Sequence, residues 1–582
     1  MKVGDVDLTN PGSFAQAVPH DYFAFLRKEA PVSWNPRPAE MGGGGFWNIV
    51  RYNDIMDVEK NVEVFTNKTN ISPLPIPEST LESTIDRSII LSDPPRHTFL
   101  RRAITGAFTP RAIKTLEENI AQYAVNAIDA VIEKGHCDWH DVAAYTPIEV
   151  VADILGVPSY DRQKLYNWAN AMFGAGDPEL SDPMRNMMGA LQMLSYAQKT
   201  GLDRRENPQD DVFSIIANAE EDGERLSLLD MGATFIVLAT AGNETTRTQF
   251  MQGTLNLIEH PEAMTALRED LSLLPNALEE MLRFTTPALG FGRKATRDIE
   301  MHGQMIKAGD QVMMWYCSGN RDESVFENPD VFDIYRKNAK AHMAFGSQGG
   351  IHRCLGSMLA RSELRAMFTQ LLTRIPDIQL DGPVDRLISN FTNGIKRMPV
   401  RFTPGKAIGD ASSVPMYASH SEPKPMPAPQ STDANVLSAK DGHDIKLVHL
   451  CTATLDIGIP TVMENGPRGT RMIVEVTGAT WEGEHLNAKQ VGGPAGDWAL
   501  LDKDGSLQID VRCHLQTEDG ASIYVSYQGR SDYMQAGQAP IITAPTFETN
   551  DHRYAWLNKV QAIGRGRAAG MNKLIYEIYA VQ

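Results

Sequence analysis

The stretch GGIHRCLGSMLARSEL, residues 349–364, decides the fold of most of this chain. Two glycines precede Cys354, a third follows at position 356, and a helical pattern then begins. The positive end of a helix favours a thiolate at this position, and the glycines let backbone amides approach the sulfur. Such a thiolate can ligate an iron and donate electron density to it. The motif alone also fits an inert cysteine, since free cysteine is commonly buried.

A second motif, LATAGNETTRTQF at residues 238–250, interrupts a long apolar helix. Polar groups within an apolar helix cost free energy unless they are paired or hydrated. The adjacent carboxylate and hydroxyl of Glu244 and Thr245 are the groups that proton delivery requires. The alternative is a capped helix end, because hydroxyl and amide side chains commonly cap helices.

Two further pairs carry little information by themselves. Glu280 and Arg283 form an E-x-x-R pair at helical spacing, and most such pairs lie on the surface. His97 and Arg101 lie four residues apart in DPPRHTFLRR, residues 93–102, and together can bind one carboxylate. A solvated basic helix face explains that second pair equally well.

The order of these motifs is specific. DPPxHxxxR, AGxET, ExxR and GxHxCxG follow one another between residues 93 and 356, and together they resemble the bacterial cytochrome P450 family. The resemblance covers nearly all of residues 1–405 and implies a mainly helical domain with a small β component that binds haem b. Cys354 would be the iron ligand. The other expected haem-binding residues are His97, Arg101, Arg293, His352, Gly350 and Gly356.

The same resemblance implies roles for the remaining motifs. Glu244 and Thr245 would form the acid–alcohol pair, and Glu280 and Arg283 would be structural, tied to residues 329–336. One departure concerns Phe345, which lies nine positions before Cys354 where the family usually has a shorter spacing. The expected substrate-pocket residues are Ala241, Leu289, Gly290 and Phe291.

The resemblance implies a monooxygenase that hydroxylates a hydrophobic small molecule, such as a steroid, terpenoid or branched lipid. Electrons would come from NAD(P)H through a ferredoxin reductase and a ferredoxin, and Arg353 and Arg361 are candidates for contacting an acidic ferredoxin. Two alternatives are a peroxide-using relative and a non-hydroxylating haem protein of the same fold. Neither needs the acid–alcohol pair, so the presence of Glu244 and Thr245 favours the monooxygenase.

Composition limits the other classes of function. The net charge of −18 argues against nucleic acid as a partner, because phosphate binding needs a basic surface. The five cysteines include no CxxC pair, so no local zinc site or four-cysteine cluster is expected, and reduced thiols suit the cytoplasm. The chain begins without a signal-peptide pattern, and no apolar run is long enough to span a membrane.

The last part of the chain differs from the first in composition and in its pattern of predicted secondary structure. Residues 406–439 form a predicted linker, with five prolines between Val414 and Ser431. Residues 440–582 contain short β-rich runs separated by turn signals, which predict a separate all-β barrel.

This barrel segment is similar to a family of small bacterial barrel domains of unknown function. Polar residues that face inward would form a small-molecule site, whereas outward-facing ones would be solvated. The alternative is an interaction module that recruits the redox partner. The candidate site residues are Asp497, Trp498, Asp510, Arg512, Asp519, Glu548 and Asn558.

Overall fold

The computed structural model describes residues 1–41, 43–75, 81, 84–174, 176–180, 183–221, 223–409, 447–492, 495–502, 505–532, 540–569 and 572–581. The chain divides into two compact units, one mainly helical and one that contains all the strands from residue 447 onward. This confirms the predicted fold class. Beyond residue 409, the predicted linker at 406–439 lies outside the described residues.

Helices are the main secondary structure of the first part of the chain. The described helices are α1 His20–Glu29, α2 Tyr52–Lys60, α3 Arg96–Thr105, α4 Pro110–Ile132, α5 Trp139–Leu155, α6 Arg162–Phe173, α7 Pro183–Glu206, α8 Val212–Ala217, α9 Leu228–Glu259, α10 Pro261–Glu269, α11 Leu274–Thr285, α12 Tyr316–Gly319 and α13 Ser357–Arg374.

The long helix α9 owes its start to local sequence. Ser227 caps its first turn, and Asp230 bonds back to the Ser227 amide in a capping box. Most of the second half of α9 is buried, including the polar residues after Gly242 except Thr245. The helix therefore carries the motif at 238–250 through the interior of the unit.

Short strands complete the first unit. A five-stranded sheet has the order β1-β2-β10-β7-β3, and smaller sheets and hairpins flank it. The strands are β1 Val32–Pro36, β2 Gly45–Ile49, β3 Phe65–Thr66, β4 His136–Asp138, β5 Glu220–Glu221, β6 Glu224–Arg225, β7 Phe291–Ala295, β8 Ile299–Met301, β9 Gln304–Ile306, β10 Gln311–Met314, β11 Gln379–Leu380, β12 Asp385–Arg386, β13 Ile395–Arg397 and β14 Pro399–Arg401.

The second unit is one antiparallel sheet of ten strands. The strand β15 pairs with both β17 and β24, so the sheet closes into the barrel that the sequence predicts. The strands are β15 Leu447–Ile457, β16 Thr461–Gly466, β17 Gly469–Glu482, β18 Ala488–Gln490, β19 Gly496–Leu501, β20 Ser506–Thr517, β21 Ser522–Asp532, β22 Ile541–Glu548, β23 Ala562–Ala568 and β24 Lys573–Val581.

The barrel interior is a continuous apolar core. Along β20 buried and more exposed residues alternate, so Ile509, Val511 and Cys513 face the core while Asp510 and Arg512 face outward. Gly520, in the turn between β20 and β21, has a φ of 88°, as expected for the predicted Asp519-Gly520 turn.

None of the helices in the described part of the chain has both the length and the apolar composition needed to cross a membrane.

Candidate functional site

A largely apolar cavity lies between α9 and the loop that leads to α13. Ala241 and Thr245 line it from α9, and Phe345 and Cys354 line it from the loop. Two motifs that are more than 100 residues apart in sequence thus face one space. This cavity is the candidate active site.

The side chain of Cys354 lines this cavity and is solvent-accessible. The loop that carries it is held by backbone hydrogen bonds. The Cys354 amide donates a hydrogen bond of 2.9 Å to the carbonyl oxygen of Phe345. Desolvation by the cavity walls raises the pKa of the thiol, whereas the Gly356 amide and the guanidinium of Arg101 act to lower it. Desolvation dominates, so the pKa of the free thiol is raised, and the Gly356 amide and Arg101 partly offset this effect.

The longer loop still places Phe345 beside the cysteine. Its ring lines the cavity, and the guanidinium of Arg361 lies 4.6 Å from the ring centroid. Arg361 also donates hydrogen bonds of 2.6 and 2.8 Å to the two carboxylate oxygens of Glu279. Arg361 is thus tied to Glu279, and its contact with an acidic ferredoxin stays a prediction.

Four cationic or imidazole side chains gather near the cysteine. The rings of His97 and His352 lie 4.1 Å apart, and the Nε2 atoms of both are buried without a hydrogen-bond partner among the described residues. Arg101 and Arg293 line the cavity beside His352. Buried polar nitrogens are rarely left unpaired, so this cluster fits an anionic group such as a haem propionate.

Burial explains the protonation of the two histidines. Desolvation first, and then the charge of Arg101, lowers the pKa of His97 to about 4, while Asp93 opposes this change. Desolvation, followed by the charge of Arg293, lowers the pKa of His352 to about 2. Both rings are neutral at pH 7, so each has one N–H to donate to an anion.

The glycines of the loop meet different constraints. An added Cβ at Gly350 would lie 3.2 Å from the Ser347 hydroxyl oxygen, a close contact that the neighbouring loop would have to relieve. Gly356 lines the cavity and has open space where a Cβ would lie. Gly350 is therefore constrained by its own loop, and Gly356 by the cavity that it borders.

Glu244 and Thr245 point to different surroundings. Glu244 is buried, forms an ion pair with Arg247 and accepts a 3.2 Å hydrogen bond from Thr248. Thr245 faces the cavity, and its hydroxyl donates to the Ala241 carbonyl oxygen at 2.7 Å. Adjacent residues on a helix project about 100° apart, which explains how the pair reaches two environments.

Sequence reasoning missed the partners that hold these groups. Arg247 lies three residues after Glu244, and that spacing was a usable signal. Glu59 is buried and accepts hydrogen bonds from the Tyr316 hydroxyl and the Ser347 amide, which anchors the lengthened loop. No local pattern indicated Glu59, because its partners lie more than 250 residues away.

Two of the four residues expected to line the substrate pocket lie elsewhere. Ala241 and Phe291 line the cavity, but Leu289 is fully buried in a separate core with Phe14 and Trp315. Gly290 lies against the backbone, where an added Cβ would be 2.2 Å from the Met314 carbonyl oxygen. Ala288 lines the cavity instead, since successive residues of an extended segment point to opposite sides.

Glu280 and Arg283 form a fully buried bidentate ion pair, with nitrogen–oxygen distances of 2.7 and 2.8 Å. Arg336 contacts both oxygens of Glu280, at 3.1 and 3.0 Å. Arg283 also donates to the carbonyl oxygens of Asn320 and Pro329, each at 2.8 Å. The pair therefore ties α11 to the irregular segment near residues 329–336.

The seven candidate residues of the barrel do not form one site. Asp510 and Arg512 lie on the outer face, 3.4 Å apart and exposed, which is the solvated arrangement of the two that the sequence left open. Because β20 has no bulge, its residues alternate between the two faces of the sheet. Asp510 and Arg512 therefore fall on the side opposite Val511. Trp498 lies on the same outer face, with the Arg512 guanidinium 5.5 Å from its ring.

Three other candidates lie at the far end of the barrel. Asp519 pairs with Arg553 at 3.0 Å in the turn after β20, and Glu548 is exposed at the end of β22. The Asn558 side chain accepts a 2.8 Å hydrogen bond from the Thr549 amide and donates a 2.9 Å hydrogen bond to the Thr549 carbonyl oxygen. Each of these side chains has a local structural partner or faces solvent.

Asp497 differs from the rest, because it falls on the inward-facing side of β19 together with Ala499 and Leu501. Its carboxylate accepts a 3.0 Å hydrogen bond from the Asp510 amide. Burial raises the pKa of Asp497 to about 6, with the Asp510 amide acting to lower it. The hydrogen bond satisfies a backbone amide where the pairing of β19 with β20 is interrupted.

Family models match both parts of the chain. Residues 181–376 match the cytochrome P450 family, and residues 445–581 match a family described as protein of unknown function DUF3237.

Curated proteins and solved structures match the first part. The chain is 37% identical over 406 residues to a steroid C26-monooxygenase of Rhodococcus jostii, covering 68% of this chain and 84% of that protein. It is 37% identical over 391 residues to a methyl-branched lipid omega-hydroxylase of Mycobacterium bovis, covering 66% and 90%. A Mycobacterium marinum cytochrome P450 in complex with pseudoionone superposes with a TM-score of 0.64 at 34% identity, covering 69% and 99%.

Proposed function

The chain belongs to the cytochrome P450 family, and we propose that residues 1–405 act as a monooxygenase on a steroid, terpenoid or branched lipid. One observation carries this proposal: Cys354 and Thr245 face the same apolar cavity from opposite elements. The names of the relatives support the substrate class, since they include a steroid C26-monooxygenase and a methyl-branched lipid omega-hydroxylase. We assign residues 406–439 to a linker and residues 440–582 to an accessory barrel.

The cavity residues fit haem b. Cys354 would hold the iron, and His97, Arg101, Arg293 and His352 would hold the propionates through charge-assisted hydrogen bonds. When bound, haem b supplies dioxygen activation, which inserts one oxygen atom into a substrate C–H bond at the expense of two electrons from NAD(P)H.

Side chains of the protein transfer protons to the cavity and exclude water from it. The Thr245 hydroxyl lies at the cavity wall, where it can release a proton into the cavity and bind a water molecule. Glu244 pairs with Arg247 in the buried interior and precedes Thr245 on the same helix, so it is the proposed relay of protons from the interior to Thr245. The apolar remainder of the wall excludes other water and favours a hydrophobic substrate.

Electrons must come from a separate carrier. We infer a ferredoxin and its reductase, because the sequence contains neither a flavin-binding motif nor a four-cysteine cluster pattern.

Turnover with a plant-type ferredoxin, ferredoxin reductase and NADPH tests the function, after substrates are selected by their shift of the haem absorbance. We expect hydroxylated product from at least one sterol, terpenoid or branched fatty acid. Product that forms only with added hydrogen peroxide would instead identify the peroxide-using alternative.

Thr245→Ala should retain haem but lose coupling between NADPH oxidation and product. A positioned proton donor contributes ~10²–10⁴-fold, so we expect product per NADPH to fall by about tenfold or more, with peroxide appearing instead. Thr240→Ala is the matched control, since its hydroxyl donates to the Ile236 carbonyl oxygen at the same 2.7 Å. Equal coupling in the two variants would exclude Thr245 from proton delivery.

A further inference from the structure

The outer face of the barrel carries a row of residues that the proposed monooxygenase does not use. Strand pairing places Arg471, Leu500, Gln508, Arg530, Ile542 and Arg565 in register across six neighbouring strands. All six belong to the outward-facing side of their strands, opposite the apolar core. We call this row, with Arg468 and Trp498 beside it, the arginine face.

The arginine face is concave and mixed in character. A depression is lined by Arg468, Arg471 and Arg530 together with Trp498, Leu500 and Ile542. Ile542 is 44% exposed and the adjacent Ile563 is 37% exposed. Exposed apolar side chains surrounded by charges are typical of a surface that a partner covers.

The arginines of this face form no ion pair among the described residues, although Glu577 lies directly opposite Arg565 on the neighbouring strand. Among the described residues, Arg468, Arg530 and Arg565 have no ion pair, and Arg471 donates only to the Trp498 carbonyl oxygen, at 2.8 Å. The neighbouring Asp510 is paired with Arg512. Yet Lys440–Gln582 contains 13 Lys and Arg against 17 Asp and Glu, so the face is a local positive patch on an acidic segment.

The spacing of the arginines indicates a macromolecule rather than a small anion. Strands lie ~4.8 Å apart, so Arg471 and Arg530 are separated by roughly 14 Å and Arg530 and Arg565 by roughly 10 Å. These are separations between backbones, and the row from Arg471 to Arg565 extends over roughly 24 Å, which is more than one small anion covers. Arginine and tryptophan, with no lysine among the described lining residues, are also the composition of protein–protein interfaces.

We propose that the arginine face docks the acidic electron-carrier protein, of the ferredoxin type, that delivers electrons to the haem unit. This inference rests on the proposed function, which requires such a carrier. A chain with a net charge of −18 repels an acidic protein over most of its surface, so a positive patch directs the carrier to one place. Capture by a covalently attached barrel raises the carrier's concentration near the haem unit.

The test uses the full chain with Arg530→Gln and Arg565→Gln combined. The control combines Lys489→Gln and Lys559→Gln, which remove the same charge from exposed positions near the opposite ends of β20 and β22. The probe is a plant-type [2Fe–2S] ferredoxin, whose association rate is measured at low and physiological ionic strength.

We expect the arginine variant to associate at least about tenfold more slowly at low salt, with a weaker salt dependence, while the control matches the wild type. The KM for ferredoxin in turnover should rise with kcat unchanged. No ferredoxin binding by the wild type, or equal rates in both variants, would overturn the proposal. So would arginine-dependent binding of double-stranded DNA that displaces ferredoxin.

This experiment can reject the docking surface and the proposed function independently of each other. If no substrate is hydroxylated but ferredoxin association depends on Arg530 and Arg565, the proposed function fails and the docking surface stands. If product forms and association is insensitive to both arginines, the function stands and the docking surface is rejected.

Discussion

Cys354→Ala should abolish monooxygenase activity and the long-wavelength Soret band of the reduced, carbon monoxide-bound protein. The thiolate is the group that tunes the iron for dioxygen activation, and the other side chains around the cavity offer no second thiol. We expect activity below the detection limit, whereas the helical content measured by circular dichroism should change little.

Cys137→Ala is the control for this variant. Cys137 lies on β4, outside the residues that line the cavity, so its removal should leave the carbon monoxide spectrum unchanged. A thiolate-type spectrum that survives in Cys354→Ala would show that the iron ligand is elsewhere.

Arg283→Lys should produce the largest loss of stability among conservative single changes. Lysine cannot reproduce the bidentate contact, so the fully buried Glu280 carboxylate and the carbonyl oxygens of Asn320 and Pro329 lose donors. Breaking a buried ion pair costs about 3–5 kcal/mol. Thermal unfolding, followed by circular dichroism and by haem release, should show a lower midpoint and a lower haem content as purified.

Arg365→Lys provides the matched comparison. Arg365 pairs with Glu117 at 3.0 Å, but the two side chains are 55% and 44% exposed. Exposed ion pairs contribute about 0–1 kcal/mol, so the midpoint should barely move. Similar shifts in the two variants would mean that the Glu280–Arg283 pair has no special structural role.

The fold could be predicted because its signals are local. Helices follow from apolar periodicity and caps, as in α9 after Ser227, and the barrel follows from short alternating strands such as β20. The cysteine loop was readable for the same reason, since Cys354, His352 and Gly356 lie within a few residues of one another. Contacts over long sequence distances, such as Glu59 with Ser347, leave no such pattern.

The sequence could not decide which side of an extended segment a candidate residue faces. Leu289 and Ala288 are neighbours in sequence, yet one packs into a core and the other lines the cavity. The sequence left open whether Asp510 and Arg512 face inward or outward, and alternation along β20 places them outside. A one-residue change of phase reverses the face of every side chain in a strand, so a sequence without known register cannot decide it.

The sequence by itself predicted the P450 fold, a cysteine ligand at position 354 and a candidate proton-transfer pair, because those predictions depend on residue types and on the order and spacing of motifs. Only the tertiary structure decided that Cys354 and Thr245 face one cavity and that Arg361 is already bound to Glu279. It also assembled the arginine face from separate strands. The physical reason is that strand register and helix packing, rather than distance along the chain, bring those groups together.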